Sequence, residues 1–276
     1  MLIGCHVSIA GGISNAPLNA GELGCEVFQC FSRSPQGGPA PVLTDEEVGK
    51  FLTNCEKNHL KQWVLHAPYY INFASGVEGI RTRSAQIIRD ELERGTKLRA
   101  DYAMFHPGSA KDVGREKGLT HVVEGVKKVL DGYNGTTKLL VEISAGAGEV
   151  IGDTFEEIAE ILNRVDHPDL GVCFDTEHAF ASGYDLRDAK HVREVFLQFD
   201  KLIGLDRLKM SHCNDSKIEL GGHKDRHEHI GKGFIGKAGF EAMFAEPLLQ
   251  KINWFLETEH DSVKNDIDLL KEIRGK

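Results

Sequence analysis

The chain has 276 residues, a formal net charge of −9, 41% hydrophobic residues and 27% charged residues. These values exclude a disordered or collagen-like chain, and no apolar run approaches the roughly 18 residues of a membrane-spanning helix. The length is enough for one domain with a full core, and no Pro/Ser-rich linker or charge block divides residues 1–276.

The opening MLIGCHVSIAGG has neither a basic region nor a long apolar stretch, so no signal peptide is expected. The six cysteines (Cys5, Cys25, Cys30, Cys55, Cys173 and Cys213) form no CxxC pair and lie mostly in apolar runs. That usage predicts reduced, buried thiols and a cytoplasmic protein, with Cys173 and Cys213 as packing residues. Short apolar runs then follow one another along the chain: Leu2–Val7, Cys25–Phe31, Gln62–His66, Tyr102–His106, Lys138–Ile143, Leu170–Asp175, Arg207–His212 and Ile252–Glu257. Each reads as a strand buried on both faces. Helical patterns lie between them. Thr44–Asn58 opens on a capping box, Thr44 with Glu47, and Arg81–Leu98, Glu116–Leu130, Thr154–Asn163, Lys190–Phe199 and Val263–Arg274 follow. Eight strands alternating with helices predict an α/β fold, a single eight-stranded parallel β/α (TIM) barrel; an open doubly wound sheet is the competing layout.

Six consecutive strands reach a metal-ligand residue type at their C-terminal ends: His66, His106, Glu142, Asp175, His212 and Glu257. In a barrel those ends ring one mouth. Unpaired, the group would be costly, and a bound cation offsets the repulsion and desolvation. His178 stands three residues beyond Asp175, and Asp225 and His227 lie in the long glycine-rich connection Cys213–Gly236. Each residue alone has a plain reading: a core histidine, an N-cap at Asp175, a solvated loop at Asp225–His229. The coincidence of six strand ends carries the argument. Five imidazoles and four carboxylates without thiolate suit Zn²⁺ or Mn²⁺, and nine donors suit two or three ions.

The motifs that hold these residues resemble those of endonuclease IV, the trinuclear-zinc apurinic/apyrimidinic endonuclease family. They are His66-Ala67-Pro68-Tyr69-Tyr70-Ile71-Asn72, Phe105-His106-Pro107-Gly108-Ser109, Val141-Glu142-Ile143-Ser144-Ala145-Gly146, Gly171 to Phe180, and Asp225-Arg226-His227 followed by Ile230 to Gly236. The opening His6 to Gly12 resembles the family's first strand and loop, so the likeness runs from Gly4 to Glu257. It implies three Zn²⁺, with Mn²⁺ an alternative at one or more sites. His66, His106 and Glu142 would hold the first; Glu142 would bridge to a second completed by Asp175, His212 and Glu257; His178, Asp225 and His227 would hold the third. Glu142, Asp175 and Glu257 would form the catalytic carboxylate set. The sequence departs from the pattern at Ile143-Ser144, where the family has Asn-Thr, and at Glu177, where it has Cys. The family's loop after strand two carries an Asn, an Arg and a Trp that press into DNA; in Phe31 to Gly38 the Arg-type wedge and the Trp are missing.

Two close metal ions lower the pKa of a bridging water and generate hydroxide at neutral pH. The resemblance implies that this hydroxide cleaves duplex DNA 5′ to an abasic site and leaves a 3′-hydroxyl, with 3′-end trimming as an allied activity. The partner is double-stranded DNA carrying abasic sites, the expected state a monomer, and the location the cytoplasm, at the nucleoid in a bacterial or archaeal cell. The acidic total argues against a nucleic-acid binder, but local charge at the mouth decides phosphate binding. Tyr69, Tyr70, Asn72 and Arg226 are candidate DNA contacts, and Arg33, Arg187 and Lys232 candidate phosphate contacts; Lys217 and Lys224 read as solvated charges. The competing enzyme is a metal-dependent sugar isomerase or epimerase on the same barrel, for which Glu142, Asp175, His212 and Glu257 suffice. A non-catalytic damage-binding protein would have no reason to keep nine costly polar groups.

Overall fold

A computed structural model describes residues 1–275. Eight parallel strands close into a barrel: β1 (Ile3–His6), β2 (Val27–Phe31), β3 (Gln62–His66), β4 (Tyr102–Phe105), β5 (Lys138–Glu142), β6 (Leu170–Asp175), β7 (Leu208–His212) and β10 (Trp254–Leu256). The remaining pair, β8 (Asp215–Ser216) and β9 (His227–Glu228), is a small antiparallel hairpin inside the long connection before β10. The competing open sheet is thereby excluded, because β1 pairs with both β2 and β10. The eight predicted strands are all present. His106 and Glu257 lie one residue past the last ladder position of their strands.

Nine α-helices pack around the barrel or over its mouth among the described residues. The predicted ones are α2 (Asp45–Lys57), α3 (Glu78–Leu98), α4 (Arg115–Leu130), α5 (Phe155–Val165), α7 (Ala189–Leu202) and α9 (Val263–Arg274). The others are α1 (Ala16–Glu22), α6 (Thr176–Ala181) and α8 (Gly236–Ala245). They are short or glycine-containing, so they show too few turns for an apolar stripe to stand out. At α2 half of the predicted capping box forms. Thr44 Oγ1 accepts from Glu47 N at 3.2 Å, but the Glu47 carboxylate accepts from Ser14 Oγ at 3.2 Å and so ties α2 to the first loop. None of the helices is long and apolar enough to cross a membrane.

The core has two layers. One lies between strands and helices and contains most of the aromatic side chains, among them Phe28, Phe51, Phe155, Phe174 and Trp254. The other fills the barrel itself with Val27, Val64, Met104, Leu140, Cys173, Met210 and Phe255. Side chains two apart on a strand share a face. Two residues beyond each of these plug residues stand Gln29, His66, His106, Glu142, Asp175, His212 and Glu257. The same alternation on β1 gives Gly4, then His6. Gly4 is required there, because a Cβ would fall 1.6 Å from the Val27 carbonyl oxygen of the adjacent strand. The apolar plug is therefore the floor on which a polar ring is mounted. All six cysteines are free and buried, as predicted.

Candidate metal centre

The polar ring resolves into three overlapping clusters. In the first, donor atoms of His66, His106 and Glu142 lie within 4.8 Å of one another. His66 donates Nδ1–H to the Ala67 carbonyl at 2.5 Å, which turns its Nε2 into the barrel mouth. His106 Nε2 is 3.2 Å from Glu142 Oε2. The second cluster joins Glu142, Asp175, His212 and Glu257 at the same spacing. His212 Nδ1 faces three carboxylates, Glu142 at 2.6 Å, Glu257 at 3.3 Å and Asp175 at 3.7 Å. Glu142 thus belongs to both. The third cluster contains Asp175, Glu177, His178 and His227. The Asp225 carboxylate completes it, with oxygens 3.4 Å from His178 Nε2 and 3.4 Å from His227 Nε2. All nine residues predicted as metal ligands converge at one mouth.

Local structure explains the positions. Asp175 Oδ1 caps α6 by accepting from His178 N at 2.9 Å, while Oδ2 accepts from Asn214 Nδ2 at 2.8 Å. The plain N-cap reading and the ligand reading of Asp175 are therefore compatible, one oxygen serving each. The cap starts α6 at the strand end and sets His178 over β5, where its Nδ1–H donates to the Ile143 carbonyl at 3.0 Å. The β8–β9 hairpin carries His227 back over the mouth. What the sequence reads as a loose loop is pinned by Asp215, whose carboxylate accepts from the backbone N–H groups of Gly231, Gly233 and Ile235.

The donor set fits cations. Glu142 Oε2, His178 Nε2 and His227 Nε2 are buried and have no hydrogen-bond partner. Such orphaned atoms are costly unless an ion takes them. His178 and His66 each spend Nδ1–H on a backbone carbonyl, the arrangement that leaves Nε2 as a free lone pair. Electrostatics tell the same story. Burial alone would lower the His212 pKa, but Cys173, Glu142 and Glu257 around it hold it well above the ordinary imidazole range. Burial would raise the Glu142 carboxyl, yet His212 and His106 keep it well below the usual carboxylate range. The cluster demands positive charge.

Behind the nine stand residues that the strand-end argument did not select. Gln29 accepts the His212 Nε2–H at 2.8 Å and donates to Glu257 Oε1 at 2.7 Å. Its amide also meets His6 Nδ1 at 3.0 Å. Burial pushes His6 down to about 3, so its ring is neutral and accepts. Asn214 donates to Asp175 and accepts from Glu257 N at 2.8 Å. The signal for His6 and Gln29 was their place on the inward face of β1 and β2.

Residues 18–274 match the xylose isomerase-like TIM barrel family. Over 276 residues the chain is 39% identical to a protein of Halothermothrix orenii named "Probable endonuclease 4", with 99% of each chain covered. A protein of Carboxydothermus hydrogenoformans with the same name is 37% identical over 274 residues, covering 99% of this chain and 96% of its own. The chain belongs to the endonuclease IV family. The crystal structure of endonuclease IV from Thermus thermophilus superposes with a TM-score of 0.87 at 34% identity, over 100% of this chain and 98% of that one.

Against the endonuclease IV pattern, the predicted nucleic-acid contacts divide. Tyr69, Tyr70 and Asn72 line a cleft of about 460 Å³ that also touches His106, His178 and Asp225. Tyr69 is exposed and its ring stands on Phe31 and His66, with centroids 5.4 and 5.3 Å away. Arg226 is exposed on the hairpin, where its guanidinium donates to the Asp225 carbonyl. Arg33 is a correction. It is only 6% exposed and bonded to Asp90 and Glu91 of α3, so its charge is spent inside the protein rather than offered to phosphate. Arg187 pairs with Asp185, and Lys217 with Glu259.

Proposed function

We propose that this chain is a DNA-repair endonuclease that hydrolyses duplex DNA 5′ to abasic sites and leaves 3′-hydroxyl ends. It acts with three Zn²⁺, Mn²⁺ being able to replace one or more, and trims 3′ ends as an allied reaction. His66, His106 and Glu142 hold the first ion, Glu142, Asp175, His212 and Glu257 the second, and His178, Asp225 and His227 the third. Membership of the endonuclease IV family supports the reaction class. The observation that carries the reading is the orphaned trio Glu142 Oε2, His178 Nε2 and His227 Nε2, which spans all three clusters. Bound there, the ions supply an activated water and neutralise charge at the scissile phosphate.

The chain's own part is electrostatic and positional. Four carboxylates and five imidazoles fix the cations on a rigid barrel rim, with Gln29 and Asn214 holding His212, Glu257 and Asp175 in place. The cleft beside them is bounded by Tyr69, Tyr70 and Asn72. It admits a bare sugar phosphate turned out of the duplex, which is cheap where no base has to be unstacked. We read residues 1–276 as one domain, monomeric and cytoplasmic.

The sugar isomerase or epimerase reading needs only the second cluster. The His178–Asp225–His227 arrangement, in which a buried and a half-buried imidazole meet one carboxylate, has no use in it and favours the nuclease. Incision of a labelled duplex with one abasic-site analogue, beside an undamaged duplex, tests the choice. A single cut 5′ to the lesion, lost after chelation, is expected. No cut by protein holding about three ions per chain would overturn the substrate, and comparable cutting of undamaged DNA would overturn the pocket as the source of specificity.

A further inference from the structure

Glu177 occupies a place no part of the proposed mechanism uses. It is the second residue of α6, adjacent to His178, and its side chain is fully buried. Oε1 accepts from Ser216 Oγ at 3.1 Å and from Arg226 N at 3.2 Å, both on the β8–β9 hairpin. Oε2 has no partner. One carboxylate oxygen lies within 4.8 Å of donor atoms of Asp175, His178 and His227. A buried carboxylate with one oxygen anchored and the other unbonded, beside two imidazole Nε2 atoms that make no hydrogen bond and face the Asp225 carboxylate at 3.4 Å, is the arrangement of a ligand set without its ion.

We propose that Glu177 is an additional protein ligand of the third ion, giving that site a second carboxylate beside Asp225. The proposal rests on reading His178, Asp225 and His227 as a metal site. Its chemical consequence is a shift in ion preference. Two imidazoles and one carboxylate leave a divalent ion with one net positive charge; a second carboxylate removes it. Added oxygen donors favour harder ions, so the third site of this chain takes Mn²⁺ more readily than one carrying Cys at this position, the residue of the family pattern.

The test is metal content, not turnover. Wild type, Glu177→Gln, Glu177→Cys and His178→Ala are each equilibrated with equal Zn²⁺ and Mn²⁺ and dialysed. Metals per chain are counted by mass spectrometry, the weakest ion's affinity is measured by chelator competition, and folding is checked by circular dichroism. Wild type is expected to hold three ions. Glu177→Gln is expected to release one of them at least about tenfold more readily, with the other two unchanged. The Mn²⁺ share should fall in both Glu177 variants, and Glu177→Cys serves if the amide variant fails to fold. Three ions held with wild-type affinity and an unchanged Mn²⁺ share in both would overturn the role of Glu177 and leave the three-ion reading standing. A wild type that holds only two ions, unaltered by His178→Ala, would overturn both.

Discussion

Gln29 Oε1 receives the Nε2–H of His212 at 2.8 Å, and this one bond decides which nitrogen of His212 faces the carboxylates. With Nε2 carrying the hydrogen, Nδ1 is left for whatever sits among Glu142, Asp175 and Glu257. The amide cannot be reversed, because its oxygen would then oppose Glu257 Oε1, which the amide nitrogen now approaches at 2.7 Å. Gln29 is therefore a positioning residue for two proposed ligands at once. Gln29→Leu keeps the volume and removes both bonds. It is expected to weaken retention of the second ion by about 10–100-fold, read by chelator competition, with secondary structure intact. Unchanged affinity would show that barrel packing alone orients His212.

Removing the ions should cost both activity and stability. Without them Glu142, Asp175, Asp225 and Glu257 converge on a small volume with only imidazoles between. A ligand present at a hundred times its dissociation constant stabilises the folded state by about 2.7 kcal/mol, and each tightly held ion adds its own share. Prolonged chelation is expected to abolish incision and lower the melting temperature, with Zn²⁺ restoring both. Incision that persists in protein shown to be metal-free would remove the basis of the proposed mechanism.

Much of this was legible in the sequence because a barrel strand repeats every two residues and ends at a common rim. His66, His106, Glu142, Asp175, His212 and Glu257 each follow an apolar plug residue by two positions, so one alternation marks floor and rim together. His6 and Gln29 obey the same rule, but neither ends a run read as polar, and an amide does not announce itself as a metal partner. Arg33 was misread for a different reason. A loop arginine is drawn inside only if carboxylates far along the chain wait for it, and Asp90 and Glu91 come to it through the packing of α3. Nothing local in Phe31–Gly38 records that contact.

The same network makes a stability prediction. Glu91 is fully buried, bonded to Arg33 and to Ser32 Oγ, and Arg94 beside it donates to Ser32 and to the Pro41 carbonyl. Together they fasten the connection after β2 to α3. Glu91→Ala takes the buried one of its two carboxylates from Arg33, which keeps Asp90, and removes the acceptor of Ser32 Oγ. Losing one partner of a buried ion pair costs about 3–5 kcal/mol, and the remaining bond to Asp90 holds the loss near the lower figure. Urea denaturation should show a loss of that size. A loss below about 1 kcal/mol, the range of exposed pairs, would mean that water reaches the arginines.

Glu26 offers a pH test away from the metal centre. It accepts from Ile3 N at 2.9 Å and, through both oxygens, from Arg274 at 2.6 and 3.1 Å, tying β1 to α9. Partial burial alone would raise its pKa, but Arg274 and the Ile3 N–H outweigh it and hold the carboxyl below its ordinary value. A depressed carboxylate contributes stability above its unfolded pKa of about 4.3 and loses it as pH falls through the lower folded value. Glu26→Gln is therefore expected to be about 1 kcal/mol less stable at pH 7, the half-exposed setting reducing the full charged-bond figure. The gap should close as the pH is lowered below about 4.3. A gap that stays constant through the acid range would show that packing rather than charge is at stake.

Tyr69 lines the cleft beside the proposed active site. It is 66% exposed, yet its ring is propped against Phe31 and His66, so it presents one face outward at little cost in side-chain freedom. An aromatic face held this way can stack on a base next to the abasic position, an interaction worth about 1–3 kcal/mol per base. Tyr69→Ala is expected to weaken binding of an abasic duplex by that amount. At saturating DNA the cutting rate should change little, and the metal content should stay the same because His66 keeps its bond to Ala67. Fluorescence anisotropy with a labelled duplex, paired with metal analysis, separates the outcomes. Loss of metal together with loss of binding would make Tyr69 a prop for His66, and unchanged affinity would leave the outward face without a role.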